Sequence, residues 1–162
     1  MTDPVLDAAA ATGVAYDVVP CDPALADTAE FCDAYGFTLD QSANAIVVVG
    51  KGEPRLYVCC VVLATTRLDV NTTVRRMLGR KKASFASAEE TAQMTGMEIG
   101  GVTPYGLPPE FPIWIDSRVM LCDAVIVGGG SRERKFLVAP ASLAALPGAV
   151  VVDDLARVSP PT

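Results

Sequence analysis

Met97-Glu98-Ile99-Gly100-Gly101-Val102-Thr103-Pro104-Tyr105-Gly106-Leu107 holds three glycines and a proline within eleven residues. A helix-like segment precedes it and a strand-like one follows. Gly100 and Gly101 free the backbone to take positive φ and leave no Cβ in front of the amides. Pro104 then fixes the next turn. Such a loop either makes a plain tight turn or aims backbone N–H groups at one spot, which suits an anion or a polarised carbonyl. A second loop, Gly128-Gly129-Gly130, ends the apolar run Ala124–Val127. Neither loop fits GxGxxG before a long helix or GxxxxGK[ST], so the phosphate sites built on those motifs are not expected. Two such loops in one domain are either separate plain turns or converge on one pocket as amide donors.

Around these loops the chain alternates helix and strand irregularly. Upstream, Asp3-Pro4 opens a helix that Gly13 closes, and Val14–Pro20 reads as a strand. Asp27 and Glu30 have capping-box spacing for a helix that ends at Gly36. Ala43–Gly50 and Arg55–Ala64 are apolar strands around the polar turn Lys51-Gly52-Glu53-Pro54, so they read as a hairpin. Val70, Val74, Met77 and Leu78 set the apolar face of a helix over Asp69–Gly79. Ser87 and Glu90 form a capping box for a helix ending at Gly96.

Downstream, Ile113–Ile115 reads as a strand, Asp116–Leu121 as a helical turn and Ala124–Val127 as a strand. Ser131–Lys135 reads as a polar turn, Phe136–Val138 as a strand, Pro140–Leu146 as a helix and Ala149–Val152 as a last strand. No βαβ repeat emerges. The expectation is a single α+β domain, residues 1–157, on a mixed, largely antiparallel sheet, with a short Pro-rich tail at 158–162.

Composition narrows the chemistry. The chain has 162 residues, of which 51% are hydrophobic and 20% charged, enough for one domain with a sizeable core. There is no histidine, which excludes Ser-His-Asp and Cys-His catalysis and any His-ligated metal. The five cysteines are odd in number and show no CxxC spacing, so buried thiols are expected rather than disulfides or zinc. Adjacent Cys59 and Cys60 should face opposite sides of a strand. No cofactor or metal is indicated.

No apolar run reaches the length of a membrane span. Met1–Thr12 has no basic flank and carries Asp3 and Asp7, unlike a signal peptide. A cytoplasmic protein without a membrane partner is the expectation. The net charge of −6 argues against non-specific nucleic-acid binding, DNA included. Against that background Arg75, Arg76, Arg80, Lys81 and Lys82 put five of the thirteen basic residues within eight positions. They either complement a helix C-terminus or contact phosphates.

Gly100-Gly101-Val-Thr-Pro104-Tyr-Gly106 resembles the signature loop of the YbaK/EbsC family, the prolyl-tRNA synthetase-associated editing domain. The resemblance extends to Leu39-Asp-Gln before Ala43–Val49, to Arg67-Leu-Asp-Val70 and to Lys81-Lys82-Ala-Ser-Phe85. It takes in Ile115-Asp116 and Val125-Ile-Val-Gly-Gly-Gly130 as well, covering roughly residues 3 to 152. It implies a mixed sheet, partly closed like a barrel, with helices around it. It implies a hydrolase of amino acids wrongly attached to tRNA, notably tRNA-Pro, acting in trans or beside an aminoacyl-tRNA synthetase, without metal or histidine.

In that chemistry amides of Gly100, Gly101, Gly128, Gly129 and Gly130, with Thr103 and Pro104, would hold the amino acid and its ester carbonyl. A hydroxyl of the terminal adenosine would help to activate water. The basic cluster at 75–82 would meet acceptor-stem phosphates. Three positions depart from the family pattern. Asn44 stands where the family carries a lysine, Gly128 where many members have Ser or Ala, and Lys135 about where the best-studied branch has an acidic residue. Two readings follow: an editing deacylase of altered specificity with Asn44 in its site, or an inactive member binding an amino-acid-like ligand or an RNA 3′ end. A thiol function through Cys59 or Cys60 is a weaker third.

Overall fold

The computed structural model describes residues 3–158; the remainder of the tail, residues 159–162, lies outside them. Asp3 caps α1 (Pro4–Ala11), its carboxylate accepting from the amides of Val5 and Leu6. β1 (Tyr16–Pro20) follows, and then α2 (Thr28–Tyr35). β2 (Ala43–Gly50) and β3 (Leu56–Leu63) form the expected hairpin, with Asn44 opposite Val62 and Val47 opposite Cys59. The rest comprises β4 (Thr66–Leu68), α3 (Arg75–Leu78), β5 (Ala83–Phe85), α4 (Ala88–Thr95), β6 (Ile113–Asp116), β7 (Val125–Gly128), β8 (Arg134–Val138), α5 (Pro140–Ala144), β9 (Ala149–Val152) and β10 (Ala156–Val158).

The strands form a five-stranded sheet, β5-β2-β3-β6-β9, a three-stranded sheet, β1-β8-β7, and the pair β10-β4. β3–β6 and β6–β9 run parallel and the other pairs antiparallel. Taken over all three sheets the pairing is mixed and largely antiparallel, as read from the sequence, and no full barrel closes. A parallel bridge from Ser42 to Ile126 joins the start of β2 to β7. That bridge brings the two larger sheets together along a seam, and the seam positions the site.

The pleat of β3 divides the core. Cys59 and Val61 face a cluster with Tyr105, Ile115, Val127 and Phe136. Cys60 and Val62 face another with Val48, Val74 and Leu155. The two cysteines therefore point to opposite faces, as a two-residue strand period requires.

Several elements differ from the sequence expectation. The helix over Asp69–Gly79 begins as a π-helical stretch, Val70–Val74, before α3. Asp69 still caps it, accepting from Thr72 N and Thr73 Oγ1. Ser87 caps α4, but Glu90 turns away to accept from Tyr57 Oη at 2.6 Å and Arg55 Nη2 at 2.8 Å. Asp27 makes no cap bond to α2 and pairs with Arg132 instead. The turn expected at Ser131–Lys135 ends early, because antiparallel pairing extends β8 back to Lys135 on the β7 side and to Arg134 on the β1 side. The helical turn expected over Asp116–Leu121 is present but confined to Val119–Leu121; Asp116 closes β6, and its buried carboxylate accepts from the amides of Ala156 and Arg118.

Candidate functional site

A cavity of about 270 Å³ opens at the seam. Its walls come from the start of β2 (Asn44, Ala45, Ile46), from the end of β7 (Ile126, Val127, Gly128), from Ile99, Gly100 and Val102 of the glycine loop, and from Asp27 and Thr28 at the head of α2. Lys135 of β8, with Ala86 and Thr91, completes it.

The two glycine loops touch backbone to backbone. Gly130 N donates to Gly101 O at 2.7 Å, and Gly101 N donates to Glu98 O at 3.0 Å. A Cβ on Gly101 would stand 2.6–2.8 Å from the main chain of Ser131. Gly101 is therefore required by the close approach of the second loop. Gly100 is required by its φ of +92°, in the region that side chains avoid. The loops do converge, but part of their amide complement is spent on holding each other.

The sequence-derived candidates separate accordingly. Asn44, Gly100 and Gly128 line the cavity. Gly101 and Gly130 brace the loops behind it, and Gly129 packs against Arg134, whose Nε donates to the Gly129 carbonyl. Thr103 is fully buried, and Pro104 lines a different, largely apolar cavity with Leu107, Phe111 and Leu146.

Arg75, Arg76, Arg80, Lys81 and Lys82 lie near the other end of β2, where Arg80 packs against Gly50 and Gly52. From Asn44 to Gly50 is about 20 Å along the strand. Two of the five are committed to main-chain carbonyls: Arg75 to Asn71 and Arg80, and Arg80 to Pro54. None of the five enters an ion pair among the described residues.

Asn44 is oriented by a neighbour. Thr28 Oγ1 donates to Asn44 Oδ1 at 2.8 Å, which leaves the Nδ2 amide as the free donor. Lys135 is only 8% exposed. Its Nζ donates to Gly100 O at 3.1 Å and lies 5.4 Å from the Phe31 ring centre. Burial above all holds its amine below the ordinary 10.5; the Arg132 charge adds to this, while Cys21, Asp27 and Cys32 oppose it.

Asp27 and Thr28 were not among the sequence-derived candidates, and Lys135 stood out only as a departure from the family pattern, without an assigned role. Asp27 and Thr28 read as a helix start, and Lys135 as part of a turn; the meeting of α2, β2 and β8 brings all three to the cavity. Cys59 and Cys60 lie outside the cavity and fully inside the core, and burial pushes the Cys59 thiol up to about 12 and Cys60 well above its usual value. Thiols so buried are inert small core residues, which removes the thiol reading.

The chain is a small mixed-sheet domain with a pocket at the seam between its two larger sheets, and comparison with known proteins shows its family. The profile described as the aminoacyl-tRNA editing domain matches residues 22–146. The chain belongs to that family, which bears out the YbaK/EbsC resemblance. An uncharacterised Bacillus subtilis protein, YwhH, is 27% identical over 127 residues, 78% of each chain. An Enterococcus faecalis protein provisionally named Cys-tRNA(Pro)/Cys-tRNA(Cys) deacylase EbsC is 25% identical over 115 residues, 70% of this chain and 68% of that one. Among solved structures, a provisionally assigned trans-editing enzyme for prolyl-tRNA synthetase superposes with a TM-score of 0.79 at 28% identity, covering 97% and 99% of the two chains. The hypothetical protein APE2540 shares the fold, with a TM-score of 0.83 at 24% identity over 93% and 98%. Among the described residues no helix is long and apolar enough to cross a membrane.

Proposed function

We propose that this chain is an aminoacyl-tRNA editing hydrolase that acts in trans and clears a mischarged amino acid from a tRNA of the tRNA-Pro type, with altered specificity. The observation that carries the reading is the convergence of Asn44, Gly100 and Gly128 on one cavity at the sheet seam, in a chain of the editing family. In this reading water adds to the ester carbonyl carbon, the bond to the terminal ribose oxygen breaks, and that oxygen takes the proton. The products are free amino acid and tRNA. Asn44 Nδ2, freed by the Thr28 contact, donates to the carbonyl oxygen as negative charge develops there. Gly100 and Gly128 contact the aminoacyl group; Gly101, Gly129, Gly130, Thr103 and Pro104 hold the walls in place. No metal or organic cofactor takes part.

Arg75, Arg76, Arg80, Lys81 and Lys82 meet phosphates farther along the acceptor end. The work is done in the cytoplasm, in partnership with an aminoacyl-tRNA synthetase. The test is deacylation of a panel of mischarged tRNAs by the purified protein. Selective hydrolysis above the spontaneous rate is expected, and no hydrolysis by folded protein would overturn the reading.

The neutral amide of Asn44 in place of a cation favours a second reading, a binding module for an amino-acid-like ligand or RNA 3′ end. Turnover that appears only in Asn44→Lys would establish it.

A further inference from the structure

The cavity's two charged lining residues are Asp27 and Lys135, and Arg132 adds a second cation at Asp27, so the group carries one positive charge in excess. Lys135 has three N–H donors, and its hydrogen bond runs to a neutral carbonyl, that of Gly100. It forms no ion pair among the described residues. The carboxylate that lines the same cavity, Asp27, is engaged 3.2 Å away by Arg132. That engagement also takes Asp27 away from α2, whose first-turn amides go without a side-chain cap. The remaining walls of the cavity are apolar or neutral, Ala43, Ala45, Val102 and Ile126 among them, and Lys135 itself lies over the ring of Phe31 and near the Cys21 and Cys32 thiols. An ammonium so buried costs free energy unless an anion meets it. A helix N-terminus at the same cavity favours the same sign of ligand.

Resting on the deacylase reading, we propose that the cavity selects an aminoacyl group with a carboxylate side chain, aspartyl or glutamyl, and that Lys135 Nζ pairs with that carboxylate. A backbone phosphate of the RNA is the other source of an anion. It fits less well, because Lys135 lies under the Gly100 carbonyl at 8% exposure, whereas a phosphodiester keeps its oxygens toward solvent. The α-amino group of the substrate stays away from Lys135 by like-charge repulsion.

The test uses stable amide analogues, 3′-aspartylamino- and 3′-glutamylamino-3′-deoxyadenosine, beside their asparaginyl and glutaminyl counterparts, which match them in shape. At least one acidic analogue should bind the wild-type protein about tenfold or more tighter than its neutral partner. Lys135→Met should abolish the difference, and Lys135→Arg should retain part of it. Equal binding of acidic and neutral analogues to wild type overturns the proposal without recourse to any variant. Tighter binding of 5′-AMP than of adenosine, lost in Lys135→Met, would assign the lysine to phosphate and likewise overturn it. Hydrolysis tells the two levels apart. If alanyl- or cysteinyl-tRNA is cleared while aspartyl- and glutamyl-tRNA are not, the deacylase stands and the acidic specificity falls. If no aminoacyl-tRNA is hydrolysed and no analogue binds, both fall.

Discussion

Asn44 and Lys135 face one cavity from two different sheets, and each is set by a single neighbour. The Thr28 hydroxyl fixes the amide of Asn44 by occupying its oxygen. Lys135 is held by the Gly100 carbonyl and by burial that disfavours its charged form. Cys21, Cys32, Asp27 and Arg132 are the charged or titratable groups that act on it. The sign of the consequence follows from linkage. With a folded-state pKa below 10.5, the unfolded chain binds more protons between the two values, so stability rises with pH in that window. Below both values the cost is fully present. Lys135→Met removes this dependence. The variant's thermal stability relative to wild type should therefore be greatest near neutral pH and decline as pH rises toward 10.5. A difference that stays flat across that range would mean that Lys135 is solvated.

At the scale of elements, the β2–β3 hairpin was legible because its apolar runs flank an obvious polar turn, and runs that long and apolar are buried on both faces. β4, β5 and β10 were not legible. Each is three residues long, and it is a strand because a partner offers hydrogen bonds, not because of its own pattern. β8 was half legible. Arg134 and Lys135 look like a turn by composition, yet the strand between β1 and β7 continues through them. The glycine loops were recognisable in the sequence, but the reason for each glycine was not. Gly101 serves the close approach to Ser131, which no local rule reveals. Gly101→Ala should cost about 2 kcal/mol of stability through overpacking, read from denaturant unfolding, and should lower activity by parting the loops. Unchanged stability would show that the two loops do not touch.

On the scale of the whole molecule, the resemblance and the largely antiparallel sheet were readable from the chain alone, because hydrophobic pattern and motif order survive without knowledge of tertiary packing. The site was readable only in part. Asn44, Gly100 and Gly128 meet as their motifs imply, whereas Asp27, Thr28 and Lys135 join them through the seam created by the Ser42–Ile126 bridge. The basic cluster lies about 20 Å away along β2, a spacing that suits a nucleic acid laid from the cavity along the strand. Arg76, Lys81 and Lys82 are its exposed members. Changing these three to Gln should weaken tRNA binding and flatten the slope of log K against log salt by about 0.7–0.9 for each phosphate no longer neutralised. An unchanged slope would remove the cluster from the RNA path.

The central claim is that ester hydrolysis takes place at the seam cavity. It is tested most directly by single-turnover deacylation of the best mischarged tRNA by wild type and by Asn44→Ala. Loss of one donor to the developing oxyanion predicts a fall in rate of about 10²-fold, with the fold intact by circular dichroism. An undiminished rate in Asn44→Ala would place the chemistry elsewhere and contradict the account.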